Sequence, residues 1–212
     1  SGSIERPIVF GNNDTPGVML SSAAKEYLKV YGVLVGRNPL IFTNNDSGYE
    51  TAIEFKKNGV NPIILDTRKD PQSEIVDEAK NLGINIKFSY VVVAAKGYKK
   101  VKSADIAKIS DDKKQLGIVE NIKCDCICVS GFWTPTIHLA SQSGNKTKFN
   151  EDIDAFVPGI SKQNETTLGA ANGSYTLGET LYNSFKTGHE LSKKITNKDN
   201  EISLPNVIEK KS

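Results

Sequence analysis

The segment Thr43-Asn44-Asn45-Asp46-Ser47-Gly48 follows the apolar run Pro39–Thr43 and precedes a helical pattern. A strand, tight turn and helix in that order is where a Gly-x-Gly-x-x-Gly fingerprint holds a dinucleotide. Its glycines make the turn, let a pyrophosphate approach the backbone and let the helix pack on the strand. Aligned here, only the third glycine, Gly48, is present. Asn45 can adopt a left-handed conformation at modest cost, but its side chain projects where a pyrophosphate oxygen should lie. Asp46 places negative charge at the helix N-terminus, which suits the helix dipole and opposes a phosphate. Asp66 ends the next apolar run, roughly 20 residues beyond the turn, where an acidic side chain would bind a ribose. The frame of a nucleotide-binding unit is present while its phosphate contacts are eroded. Intact dinucleotide binding and a scaffold that kept the fold alone both stay open.

A second candidate is Gly169-Ala170-Ala171-Asn172-Gly173, directly before a helix that begins near Thr176. Small residues ahead of a capped helix leave backbone N–H groups and the positive end of the dipole open to an anion or a ribose hydroxyl. A tight turn into a closely packed helix is the alternative. Cys124, Cys126 and Cys128, spaced by two, would point three sulfurs to one face of a strand. Structural zinc prefers a second cysteine pair elsewhere, so these read as small buried residues, and their odd number suits a reducing compartment. His138 and His189 stand apart from any ligand cluster, and no metal site is assigned. Ser130 lacks the Gly-x-Ser-x-Gly setting and a base. Lys96, Lys99, Lys100 and Lys102 around Tyr98 read as a solvated hairpin. No catalytic residue is assigned.

The elements that must position these residues follow from periodicity. Residues 18 to 31 read as a helix with Leu20, Ala23, Ala24, Tyr27, Leu28 and Tyr31 on one face. Strand Pro39–Thr43, helix Ser47 to Asn58, strand Pro62–Asp66 and a helix opened by Asp70-Pro71 give the rhythm of right-handed parallel crossovers. Ser47 with Glu50, and Thr176 with Glu179, form capping boxes. The runs Tyr90–Ala95, Val101–Ile109 and Leu116–Ile122 suit an antiparallel meander, and Cys124–Ser130 returns to the core as a strand. Leu177, Leu181, Phe185, Leu191 and Ile195 keep one face of the last helix apolar.

The 212 residues, with a formal net charge of +2, could bury about 70% of the unfolded surface. The charge balance lacks the basic excess of a nucleic-acid binder, and no apolar run reaches the length of a membrane span, so neither partner is expected. A cytoplasmic location is the expectation. The opening Ser1-Gly2-Ser3 resembles the remnant of a cleaved tag and is set aside.

The strings Arg6-Pro-Ile-Val-Phe-Gly-Asn-Asn-Asp-Thr-Pro-Gly-Val-Met-Leu20, Phe42-Thr-Asn-Asn-Asp-Ser47, Val129-Ser-Gly-Phe-Trp-Thr-Pro-Thr-Ile-His-Leu139, Ser141-Gln-Ser-Gly144 and Gly169-Ala-Ala-Asn-Gly173 are similar to the alpha subunit of heterotetrameric sarcosine oxidase. The resemblance runs from about Ile4 to Ile195. It implies an α/β fold of the FAD/NAD(P)-binding, disulfide-oxidoreductase type, a Rossmann-like three-layer module with a small parallel sheet plus an antiparallel meander, and part of a second such domain. It implies an inserted domain at 32–148, pieces of the interrupted domain at 4–31 and 149–197, and a polar tail at 198–212. The implied parent is a flavoenzyme that demethylates sarcosine oxidatively to glycine. It passes the one-carbon unit to tetrahydrofolate and electrons to oxygen, releasing hydrogen peroxide. NAD would sit in the alpha subunit and FAD and FMN in the full complex, with other subunits as partners and substrate oxidation on the beta subunit. In that family the intact glycine fingerprint lies upstream, and Gly169, Ala170, Ala171, Asn172 and Gly173 match the return loop that closes on the dinucleotide. The segment alone is then a scaffold without turnover. A cofactor-free docking module, or part of a related amine or opine dehydrogenase subunit, is the alternative.

Overall fold

Side chains that alternate along short apolar strands must find a partner layer on each face, and the chain supplies both. The computed structural model describes residues 2–197, Ser203 and Val207, so the expected tail at 198–212 lies outside the described residues except at those two positions. The elements in chain order are β1 (Ser3–Glu5), β2 (Val18–Leu20), α1 (Ser21–Tyr31), β3 (Pro39–Thr43), α2 (Ser47–Lys57), β4 (Ile63–Asp66), α3 (Glu74–Asn81) and β5 (Asn85–Phe88). They continue as β6 (Tyr90–Lys96), β7 (Ser103–Ile109), β8 (Leu116–Lys123), β9 (Cys126–Ser130), β10 (Trp133–Pro135), α4 (His138–Gln142), β11 (Thr147–Asn150), β12 (Ala155–Pro158) and α5 (Leu177–Thr196). The chain divides into two units, one of Glu5–Phe132 and one of residues 2–4 with the described residues from Trp133 onward.

In the first unit a parallel sheet of five strands has the order β2-β9-β3-β4-β5. Ile41, Ile64, Cys126 and Cys128 face α1, α2 and α3, meeting Ala24, Leu28, Tyr49, Ala52, Phe55, Val76 and Ala79. Leu40, Phe42, Leu65, Ile127 and Val129 face the other way, onto Val92, Ala95, Ala104 and Ile106 of the antiparallel meander β6-β7-β8. Both central strands, β3 and β9, are buried over their whole length, as a sheet covered on both faces requires. Helices, parallel sheet and meander make the three expected layers. Consecutive crossovers carry the chain from β3 to β4 to β5, whereas β9 returns to the opposite side of β3. The strand order therefore reverses between β3 and β9, and in open α/β sheets the crevice at such a reversal is where ligands bind.

Several expectations are corrected. Residues 18–20 are a strand, because Val18, Met19 and Leu20 pair with Ile127, Cys128 and Val129; the helix begins at Ser21. That pairing, with Ala24 and Leu28 in the helix-side core, places 5–31 in the same unit as 32–132. The helix expected from Asp70-Pro71 starts at Glu74. Asp46, not Ser47, occupies the cap position of α2. The last core strand begins at Cys126, because Asp125 turns to accept the amides of Arg37 (2.9 Å) and Asn38 (2.8 Å). Cys124 consequently packs on the meander side and Cys126 and Cys128 on the helix side.

The second unit contains the two-stranded pair β1-β10, the antiparallel pair β11-β12, α4 and α5. Phe149 and Phe156 face each other across β11-β12 in an edge-on contact of 5.2 Å between ring centres. Ser3, set aside with the opening tripeptide, lies in β1, and the Gly2 carbonyl accepts the Thr136 amide (2.9 Å) and hydroxyl (2.8 Å). Thr176 caps α5 by accepting the Glu179 amide at 3.2 Å, as its spacing predicts. Among the described residues no helix is long and apolar enough to cross a membrane.

Candidate functional site

The reversal between β3 and β9 brings together Thr43, Asn45, Asp46, Gly48, Asp66 and Ser130. Gly48 keeps the role expected of it: a Cβ there would lie 2.6 Å from Thr43 Cβ, so only glycine lets α2 approach the end of β3 this closely. The rest of the turn is held by its own side chains. Thr43 Oγ1 donates to the Asn45 carbonyl (2.8 Å) and accepts the Asn45 amide (3.1 Å). Asn45 is buried, and its Nδ2 crosses to β9 to donate to the Ser130 carbonyl at 3.0 Å, while its Oδ1 accepts the Ser47 amide at 2.9 Å. The Asn44 amide also donates to the Ser130 carbonyl, at 3.3 Å. Asn45 thus lies across the crevice without the left-handed backbone that the sequence permitted.

Asp66 is fully buried at the end of β4. Its Oδ2 accepts the Tyr49 hydroxyl at 2.7 Å and Arg68 Nη2 at 2.8 Å, and its Oδ1 accepts the Arg68 amide at 2.8 Å and Nε at 3.1 Å. Arg68 Nη2 also lies 2.7 Å from Asp46 Oδ1, so one guanidinium joins the carboxylates of α2's cap and β4's end. Burial and the adjacent Asp66 carboxylate push the Tyr49 phenol well above its ordinary value. Burial works against the Arg68 cation, but the hydrogen bonds and charge of Asp66, joined by Asp46, raise its pKa. Tyr49 and Arg68 were not singled out from sequence. The one local signal was the Asp-Thr-Arg spacing, which lets a guanidinium fold back on a carboxylate two residues earlier; the bond between Asn45 and Ser130 spans 85 residues and leaves no local trace.

These residues do not fit a dinucleotide in the arrangement observed. The Ser47 amide that would meet a pyrophosphate is taken, a carboxylate sits at the α2 N-terminus, and the Asp66 carboxylate is turned away from solvent with both oxygens engaged. The unit as it stands can hold its sheet and helices in register.

In the second unit, Gly169–Asn172 form one 3-10 turn closed by Gly173 in the left-handed conformation (φ 83°). The Gly173 amide donates to the Ala170 carbonyl (3.2 Å) and the Ser174 amide to the Gly169 carbonyl (3.1 Å). Ala171 is buried. Asn172 and Gly169, with Thr166, Thr167, Asn183 and Lys186, line a polar cavity of about 340 Å³ beside α5. The five loop residues are therefore together, and Asp66 belongs to the other unit. The turn is tight, and it borders a polar cavity whose lining also includes Glu190.

No family model matches the chain. Solved structures share its architecture. Thioredoxin reductase from T. acidophilum superposes with a TM-score of 0.57 at 14% identity, covering 81% of this chain and 59% of that one. The HOCl-induced flavoprotein disulfide reductase of Escherichia coli gives 0.60 at 15% identity, covering 92% and 43%. The chain thus has the fold of the FAD/NAD(P)-binding disulfide oxidoreductases. By sequence it is related to a segment of the sarcosine oxidase alpha subunit. It is 32% identical over 183 residues to that subunit of Corynebacterium sp., covering 85% of this chain and 19% of the relative. It is 36% identical over 173 residues to that of Rhizobium meliloti, covering 81% and 16%. The chain spans less than a fifth of the length of these relatives.

Proposed function

We propose that the chain is a dinucleotide-domain segment of the alpha subunit of a sarcosine oxidase, and that by itself it is a scaffold without turnover. The observation that carries this reading is the 32% to 36% identity to sarcosine oxidase alpha subunits over more than four fifths of the chain. In this reading Glu5–Phe132 is a module inserted into a larger dinucleotide-binding domain, and the second unit is part of that interrupted domain. Gly169, Ala170, Ala171, Asn172 and Gly173 would close on an NAD whose phosphates are met by a glycine-rich strand preceding this segment. FAD and FMN would belong to the full complex. That complex would convert sarcosine to glycine, with tetrahydrofolate taking the one-carbon unit and oxygen being reduced to hydrogen peroxide in the cytoplasm. Docking to the other subunits is favoured by α5, which has no buried residue and exposes Leu177, Phe185, Leu191 and Ile195.

Calorimetric titration with NAD tests the reading on two proteins, this chain and a longer one that includes the preceding strand. The expected outcome is no heat with this chain at millimolar NAD and a one-to-one isotherm near micromolar with the longer protein. Absence of binding to the longer protein, together with no sarcosine-dependent oxygen consumption by the assembled complex, would overturn it.

A further inference from the structure

We propose that Asn45 and Arg68 are exclusion residues: they fill the crevice between β3 and β9 with the module's own polar groups and so keep dinucleotides out of the Glu5–Phe132 unit. Five contacts converge on this. The amides of Asn45 and Ser47, on the turn that a pyrophosphate would approach, are engaged by Thr43 Oγ1 and Asn45 Oδ1. Asn45 Nδ2 ties that turn to the Ser130 carbonyl on the far side of the strand reversal. Arg68 takes up Asp66, the carboxylate placed for a ribose, and holds Asp46 at the helix N-terminus. A ligand entering here would have to displace these hydrogen bonds and place its own negative charge against Asp46. Leaving the displaced groups buried and unpaired would cost more than the bonds themselves contribute.

The feature that sets this arrangement apart from simple decay of a motif is what has been kept. Gly48 still permits the close helix approach, while the Asn45 and Ser47 amides and the Asp66 carboxylate each have an internal partner. The polar groups of Asn45, Ser47 and Asp66 at the sheet end are met from within, so they need no ligand to satisfy them. This holds whatever substrate the parent enzyme takes.

Hydrogen exchange on the full chain tests the proposal. In the wild type the Asn45 and Ser47 amides should exchange slowly without ligand, and millimolar NAD should leave their rates unchanged within about twofold. Asn45→Gly should accelerate exchange at Ser47 by about tenfold while Ile41 and Ile127 in the sheet keep their rates. Slowing of Asn45 or Ser47 by NAD, or fast exchange at Ser47 in the wild type, would overturn the proposal; both are read on the wild type and so decide the matter if Asn45→Gly fails to fold. Loss of NAD protection at 169–173 in the longer protein would instead count against the proposed function and leave this inference standing.

Discussion

The Tyr49 hydroxyl donates a 2.7 Å hydrogen bond to Asp66 Oδ2, joining the first turn of α2 to the last residue of β4 with both residues fully buried. A strand end and the helix that precedes it are thereby fixed to one carboxylate, and the same carboxylate holds Arg68.

Tyr49→Phe should destabilise the chain by about 2 kcal/mol, because a buried charged acceptor loses one of its donors. The loss should also be pH-dependent. Since the phenol is raised above its ordinary value by burial and by Asp66, its stabilising effect is fully present below that value and is lost as pH rises above it. Urea unfolding from neutral to strongly alkaline pH should show the wild type and Tyr49→Phe converging at the alkaline end.

Arg68→Met should cost about 3 kcal/mol, since it leaves the buried Asp66 without its cation, and Arg68→Lys should recover only part of this because a single ammonium cannot reproduce the forked contact. Urea midpoints for the two variants check the order. A lysine variant as stable as the wild type would show that charge alone matters.

Two helical glycines should respond with opposite sign. Gly48→Ala drives a Cβ to 2.6 Å from Thr43 Cβ and should cost about 1 to 3 kcal/mol as α2 is pushed off the sheet. Gly188, on α5, has nothing within 4 Å of where its Cβ would be, so Gly188→Ala should stabilise that helix by about 1 kcal/mol. Thermal unfolding of the two variants makes the comparison.

The cysteines should be inert in the folded chain. Burial, with Cys126 and Asp125 adding to it, pushes the Cys124 thiol up to about 12, and the neighbouring Cys126 together with burial raises Cys128. Reaction with a disulfide reagent at pH 8 should therefore detect no thiol in the native protein and all three in denaturant.

Much of the fold was legible because its signals are local. The apolar runs at 39–43 and 63–66, the helical pattern after Ser47, the Thr176 cap and the three meander strands each announce themselves within a few residues. Val18–Leu20 reads as helix from sequence because three residues carry too short a period to tell the two states apart. Its strand state comes from pairing with Ile127–Val129, more than 100 residues away.

The sequence by itself determined that Gly48 would be kept for close packing, that Asp46 would sit at a helix N-terminus, and that Asp66 would end a strand beside it, since each follows from residue type and near spacing. Only the tertiary structure decided what these groups face. Asn45 meets Ser130, Tyr49 meets Asp66, and Arg68 bridges Asp66 to Asp46, because strand order in the sheet, not distance along the chain, sets which polar groups share a buried crevice and must satisfy one another there.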